Sequence, residues 1–404
     1  MAPPDETPLS VRLVTALAGI DSARWNACAT GHAHIDSESQ EEPDNPFLSH
    51  DFLAALEVSG CVDGRSGWQS AHLIVEREPG TMLAAAPCYL KSHSRGEYVF
   101  DAAWADAYER AGGRYYPKLQ VAVPFTPVTG PRLLVAPGPH AALARQALIQ
   151  GLAALRRQLG ASSTHATFAS HADAEELERA GYLLRTDQQF HWFNEGYADF
   201  DAFLAALSSR KRKVIHRERR DALAGGITVD CLTGADIKEA HWDAFFSFYM
   251  DTGSRKWDRP YLNRLFFSEV GASMADRILL VMARRGGRYI AGAINFLGRH
   301  TLYGRNWGCI EQHPFLHFEV CYYQAIEFAI RHKLKRVEAG AQGEHKLARG
   351  YRPVLTYSAH DIADPGLKRA VANYLVRERD YVEAAQSELD AYLPFRKDKV
   401  AETE

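Results

Sequence analysis

The chain has 404 residues, 46% hydrophobic and 24% charged, with a formal net charge of −3. That length exceeds one ordinary core and predicts two domains of globular composition. The small net charge excludes a protein that coats DNA through a global basic field, so anion binding is expected to be local.

The chain opens MAPPDETPLSVRL, which has neither the basic nor the apolar region of a signal peptide. No apolar run approaches the roughly 18 residues of a membrane span. Cys28, Cys61, Cys88, Cys231, Cys309 and Cys321 are widely spaced, with no CxxC pair and no histidine at zinc spacing. They read as reduced thiols of a cytoplasmic protein.

In the first half, His72–Arg77, Met82–Leu90 and Glu97–Phe100 read as three strands, the first two separated by a Pro-Gly turn. An insertion over 104–131, rich in proline and aromatic residues, is expected to be a lid or a covering loop. A helix over His140–Leu159 and a strand over Thr164–Ala169 follow. Glu176–Tyr182 then leads into the strand Leu183–Phe193.

Next comes SSRKRKVIHRERRD, with seven basic residues among the eleven from Arg210 to Arg220. Capped by Ser208 or Ser209, this segment is predicted to be a helix. Arg210, Lys213, Arg217 and Arg220 then share one face, as a phosphate-binding stripe or a solvated surface. SRKWDRPYLNRLFF follows, and offers Lys256 and Trp257 to a cleft.

The second half repeats the order of the first. Strands are predicted at Ile278–Ala283, Tyr289–Leu297 and Thr301–Trp307, a helix from His317, and strands at Arg336–Ala339 and Val354–His360. At a constant offset, Leu83 aligns with Ile290, Ala86 with Ala293, Leu90 with Leu297 and His93 with His300. Several elements in one order point to a tandem duplication, with domains at 10–195 and 196–365 and a helical tail at 366–404.

This order is mixed α/β, an α+β mixed sheet, and resembles the GNAT acyltransferase fold. Two such domains in tandem resemble the Fem family, and most nearly the FemAB-like predicted N-acyltransferases of peptidoglycan biosynthesis/recognition. The resemblance rests on NPFLSHDFLAALEVSG, PCYLKSHSRGEYVFDAAWA, YYPKLQVAVPFTPVTGPRLL and GEHKLARGYRP, and spans about Ser10 to Ile362. It implies two tandem GNAT-like domains and an N-acyltransferase acting on an amine acceptor, small molecule or peptide, of cell-wall type. The donor would be acyl-CoA or aminoacyl-tRNA as co-substrate, with no tightly bound cofactor. The turn GCIEQHPFLHFE carries one glycine and two acids where a CoA-binding GNAT turn is glycine-rich, which counts against ordinary acetyl-CoA. The same departure keeps open a non-catalytic module with a degenerate acyltransferase fold, recognising a peptidoglycan precursor or another anionic ligand.

The stretch GAQGEHKLARGYRP, Gly340–Pro353, is where the halves differ, because SHADAEELER precedes the Gly-Tyr step of the first half. Glu338 on the preceding strand, Glu344 and His345 are the expected proton acceptors. Lys346 and Arg349 are the expected anion anchors, with Gln342 exposed in the turn and Arg305 and Asn306 on a facing strand. His313 and His317 stand four apart, but Pro314 breaks the helix a metal pair would need, so no metal is expected.

Overall fold

A computed structural model describes residues 8–31, 44–77, 80–256, 260–340 and 343–396. The chain forms two compact units. Unit 1 comprises residues 1–187, 261–275 and 355–382, and unit 2 comprises 188–260, 276–354 and 383–404, so neither is one continuous stretch.

Unit 1 is built on two sheets. Ser10–Val14, His72–Glu76, Met82–Ala86 and Leu134–Val135 form an antiparallel sheet in that order. The second sheet runs from residues 355–362 through Ser163–Ala169, Lys118–Val121 and Cys88–Lys91 to Trp68–Ser70. The helix Ala141–Gln158 places Ala144, Leu148, Leu152 and Leu155 on one face, at the four- and three-residue spacing of a helix stripe. Those side chains share a buried cluster with Leu119, Val121, Ala166 and Ala359 from one face of the second sheet. Each such leucine contributes about 1.5–3 kcal/mol on burial.

Two readings of the sequence are corrected in this unit. The run Met82–Leu90 is not one strand: it breaks at Pro87, and its halves enter different sheets. Proline has no N–H for a ladder. The third strand is not Glu97–Phe100 but Lys118–Val121, inside the expected loop, which also holds the helix Ala102–Arg110. This strand was hidden by its polar alternation. Lys118 and Gln120 point away from the apolar cluster, and Lys118 is buried on Glu97 Oε2 (2.7 Å), Ser94 Oγ (2.8 Å) and Asp101. Glu97, the first of the residues read as a strand, is instead an acceptor for a buried ammonium, with Ser94 and Asp101 on either side of that run.

In unit 2 the strand order is Ile227–Thr233, Ile278–Arg285, Arg288–Leu297, Thr301–Cys309, Arg336–Glu338 and residues 188–193. Gly286 and Gly287, both at positive φ (56° and 80°), make the tight connection of the second and third strands. One sheet face, with Leu279, Val281, Ala293, Leu302, Val337 and Trp192, packs on Val320, Ile326, Ala329 and Ile330 of helix 316–331. That helix carries a π-helical segment over Glu319–Tyr323, a distortion frequent at functional sites. The basic segment is the helix Ser209–Ala222.

Candidate functional site

Thr301–Cys309 and Arg336–Glu338 are the parallel pair of unit 2. Their ladder covers Thr301–Arg336, Leu302–Val337 and Tyr303–Glu338, and there it stops. The first strand keeps its other neighbour as far as Cys309. Beyond Tyr303 it has no ladder partner on the Arg336–Glu338 side among the described residues. Arg305, Asn306 and Trp307, on this unpaired run, are half-buried. The end of the strand, with Trp307 and Cys309, lines a pocket of about 520 Å3 together with Thr252, His313, Leu316 and His317. That volume lies within the usual range for small-molecule sites.

The turn after Glu338 carries His345 on a short 3-10 helix, Glu344–Arg349. The imidazole is partly exposed, and its Nε2 lies 2.9 Å from the Tyr322 hydroxyl. It packs on the rings of Phe318 (5.5 Å), Tyr322 (5.6 Å) and His317 (6.1 Å), the last also a wall of the pocket. Burial first, then the Arg349 and Lys346 cations, push its pKa below the usual histidine value, which favours the neutral ring. When Nε2–H is donated to Tyr322, Nδ1 keeps a lone pair that can accept a proton.

Lys346 and Arg349 are not free anchors, contrary to the sequence reading. Lys346 is buried and donates to the main-chain oxygens of Ala339 (2.6 Å) and Gly340 (2.9 Å), stapling the exit of the strand. Burial lowers its pKa to about 7, Cys321 opposing the fall and Arg305 adding to it. Arg349 donates to Glu218 Oε2 (2.7 Å) and to the main-chain oxygen of His345 (2.7 Å), and lies 3.4 Å from the Phe318 ring centroid. Glu218, on the inward face of the basic helix, also accepts from Tyr323.

Glu338 is completely buried, on the sheet face opposite helix 316–331, whereas His345 packs on that helix. The register sets Glu338 between Tyr303 and His191. Its carboxylate lies 3.4 Å from Arg336 Nε and 3.9 Å from Arg305 Nη2, with no hydrogen bond to either oxygen among the described residues. Burial raises its pKa, while Arg336 and Arg305 oppose the rise. Glu338 and His345, two of the three expected proton acceptors, therefore do not converge. Arg305 does reach Glu338, and Asn306 is half-buried on the same strand.

Arg210, Lys213, Arg217 and Arg220 are all exposed on one side of the helix Ser209–Ala222, while Ile215, Glu218 and Ala222 are turned inward. The eleven-residue count hid one difference among these cations. Arg219 faces inward, holding Glu319 through Nε (3.0 Å) and Nη2 (2.9 Å) and reaching Glu327 (2.8 Å). Its only signal in the sequence is its register with Ile215 and Ala222. The acids of the suspect turn are likewise engaged. Glu319 is fully buried on Arg219, and Glu311 accepts from Arg285 (2.7 Å) and lies 3.0 Å from His313 Nε2. Gln342 and Trp257 lie outside the described residues, as do the side chains of Glu344 and Lys256.

Unit 1 treats the same place differently. Its parallel pair, Lys118–Val121 with Ser163–Ala169, ends at Val121–Ala166. There the insertion returns and Gly130 bridges Ala169, donating to Phe168 O (3.1 Å) and accepting from Ser170 N–H (2.8 Å). Arg132, completely buried, donates to the main-chain oxygens of Val128 (2.6 Å), Thr167 (2.8 Å), Pro131 (3.0 Å) and Gly130 (3.1 Å). Asp173 accepts from the N–H groups of Arg132 (2.6 Å) and Leu133 (2.9 Å). Here the insertion covers and fills the strand ends.

The fold is that of two tandem GNAT-like domains. A family model described as peptidoglycan biosynthesis/recognition, FemAB-like, matches residues 16–397, and the chain belongs to that family. Among solved structures it is similar to FemX, at 11% identity and a TM-score of 0.53, over 87% of this chain and 98% of that one. It is also similar to the C-terminal domain of a putative lysylphosphatidylglycerol synthetase from Agrobacterium fabrum, at 9% identity and a TM-score of 0.51, over 88% and 97% of the two chains. A conserved protein of unknown function from Bacteroides thetaiotaomicron matches at 10% identity and a TM-score of 0.51, over 87% and 99%. No curated protein matches the chain. Among the described residues no helix is long and apolar enough to cross a membrane.

Proposed function

We propose that the protein is an N-acyltransferase whose reaction takes place in unit 2, beside His345. The amine nitrogen of the acceptor attacks the carbonyl carbon of an acyl or aminoacyl donor and forms the N–C bond. The C–S bond of a CoA thioester, or the C–O bond of an aminoacyl-tRNA ester, then breaks. His345 takes the proton that the attacking nitrogen sheds and returns it to the departing thiolate or alkoxide. The exposed stripe of Arg210, Lys213, Arg217 and Arg220 receives the phosphates of the donor. The acceptor is an amine of a cell-wall precursor, in keeping with the family description.

The observation that carries this reading is the contrast between the two copies. The ladder end is filled by the chain itself in unit 1, whereas in unit 2 it has no partner among the described residues and is followed by the GEHK turn. The test is to incubate the protein with a lysine-containing UDP-linked muropeptide and either charged tRNA or a series of acyl-CoAs. Mass spectrometry then looks for an acylated amine. The expected result is a mass gain with one donor class, lost in His345→Asn. Full turnover in that variant would remove His345 from the role.

A non-catalytic module that binds the precursor is the second reading. It is favoured by the internal engagement of Lys346, Arg349 and Glu338, which leaves His345 as the accessible acid–base group described in the turn. Stabilisation by the muropeptide in a thermal shift, with no mass gain from either donor class, would establish it.

A further inference from the structure

We propose that Arg349 is the positioning residue for the His345 imidazole, an inference that rests on the transfer reading above. The guanidinium makes three contacts, one on the turn and one on each of two helices. Nη1 donates to the main-chain oxygen of His345 at 2.7 Å, four residues back along the short helix. Nη2 is anchored at 2.7 Å on Glu218, which the neighbouring helix holds buried and which also accepts from Tyr323. The flat face lies 3.4 Å from the centroid of Phe318, the ring on which the imidazole itself packs at 5.5 Å. One planar side chain therefore fixes both the backbone that carries the imidazole and the floor beneath it. A lysine ammonium, a point charge without a planar fork, cannot make these contacts together.

The far side of the ring is set by Tyr322, 2.9 Å from Nε2, and by Gly343, where an added Cβ would lie 2.3 Å from Cε1. Tyr322 and Phe318 both belong to helix 316–331, one within its π-helical segment and the other just before it, so Arg349 ties the turn to that distorted part of the helix. The arrangement gives the residue a task with no ligand contact. Its Nη1 and Nη2 face a carbonyl and Glu218, its Nε has no hydrogen-bond partner among the described residues, and the side chain is almost wholly buried.

The test pairs a spectroscopic readout with the transfer assay. In 15N spectra of the histidine-labelled full chain, with His345 assigned from His345→Asn, the wild-type ring is expected to show the separated nitrogen shifts of one tautomer. Arg349→Lys keeps the charge but loses the fork. The double variant Glu218→Gln/Arg349→Met removes both partners and leaves no lone buried charge. Both are expected to bring the two nitrogen shifts towards an average and to lower kcat roughly 10- to 100-fold at nearly constant KM.

Unchanged His345 shifts in the folded variants would overturn the proposal. So would a raised KM at full kcat, the signature of an anion anchor. Full transfer by His345→Asn would instead overturn the role of the histidine, whatever the shifts in the arginine variants.

Discussion

The His345 ring lies so close to Gly343 that no side chain fits between them, and the glycine sits at φ 103°. Gly343→Ala is therefore expected to cost about 1–3 kcal/mol of backbone strain. It should also push the imidazole off Tyr322, which a thermal melt and the His345 nitrogen shifts would register together.

Lys346 makes a second prediction at this scale. Unfolded, a lysine takes up its proton near 10.5, while the buried Lys346 does so only near 7. Between those values the unfolded chain binds more protons, so this residue makes stability rise with pH from about 7 to 10, and it weakens the fold most below 7. Lys346→Met should flatten that slope in urea unfolding series at pH 7, 8.5 and 10. An unaltered slope would mean that the ammonium is not buried. The turn itself was legible as the place where the two halves part company. The partners of its cations were not, because whether a lysine meets a ligand or a carbonyl depends on chain that is distant in sequence or differently turned.

Among the elements, the helix Ser209–Ala222 has two chemistries on two faces. Outward, Arg210, Lys213, Arg217 and Arg220 form an exposed stripe, in which Arg220 also holds Asp221 (3.0 Å). If charged tRNA is the donor, changing all four to Gln should reduce the slope of log affinity against log salt by about 3–4. Filter binding over a salt series checks this, and an unaltered slope would exclude the stripe. Inward, Arg219 compensates the buried Glu319. Arg219→Met should cost about 3–5 kcal/mol, whereas Arg219→Met/Glu319→Leu should regain most of it. A double-mutant cycle in urea measures the difference.

Charge patterning revealed this helix and its exposed face. It could not single out Arg219, whose neighbours in sequence are equally basic. The strands of unit 2 were legible as nearly continuous apolar runs, buried on both faces. Lys118–Val121 was not, because its second face is buried on carboxylates rather than on hydrocarbon.

Across the whole molecule, the duplication was visible in the order of elements, but the assignment of segments to units was not. Helix Arg264–Met274 and residues 355–362 join unit 1 although they follow or interrupt the sequence of unit 2. Folding partners that are distant in the chain leave no periodic signal. Arg132 provides the prediction at this scale. Arg132→Met removes donors from four main-chain oxygens in the interior of unit 1 and should destabilise that unit by several kcal/mol. Hydrogen exchange should speed up at Val128–Leu133 and Thr167–Ser170 before it does in the strands of unit 2.

The filling of unit 1 by its own insertion also has a consequence for counting. A chain with two copies of a fold invites the assumption of two equivalents of ligand, yet at the ladder end of unit 1 the chain's own Gly130 bridges Ala169 and Arg132 is buried. Calorimetric titration with a donor should therefore saturate at one equivalent per chain. A second equivalent would require the insertion to leave, and a heat of binding reduced by the cost of extracting a buried arginine would mark it.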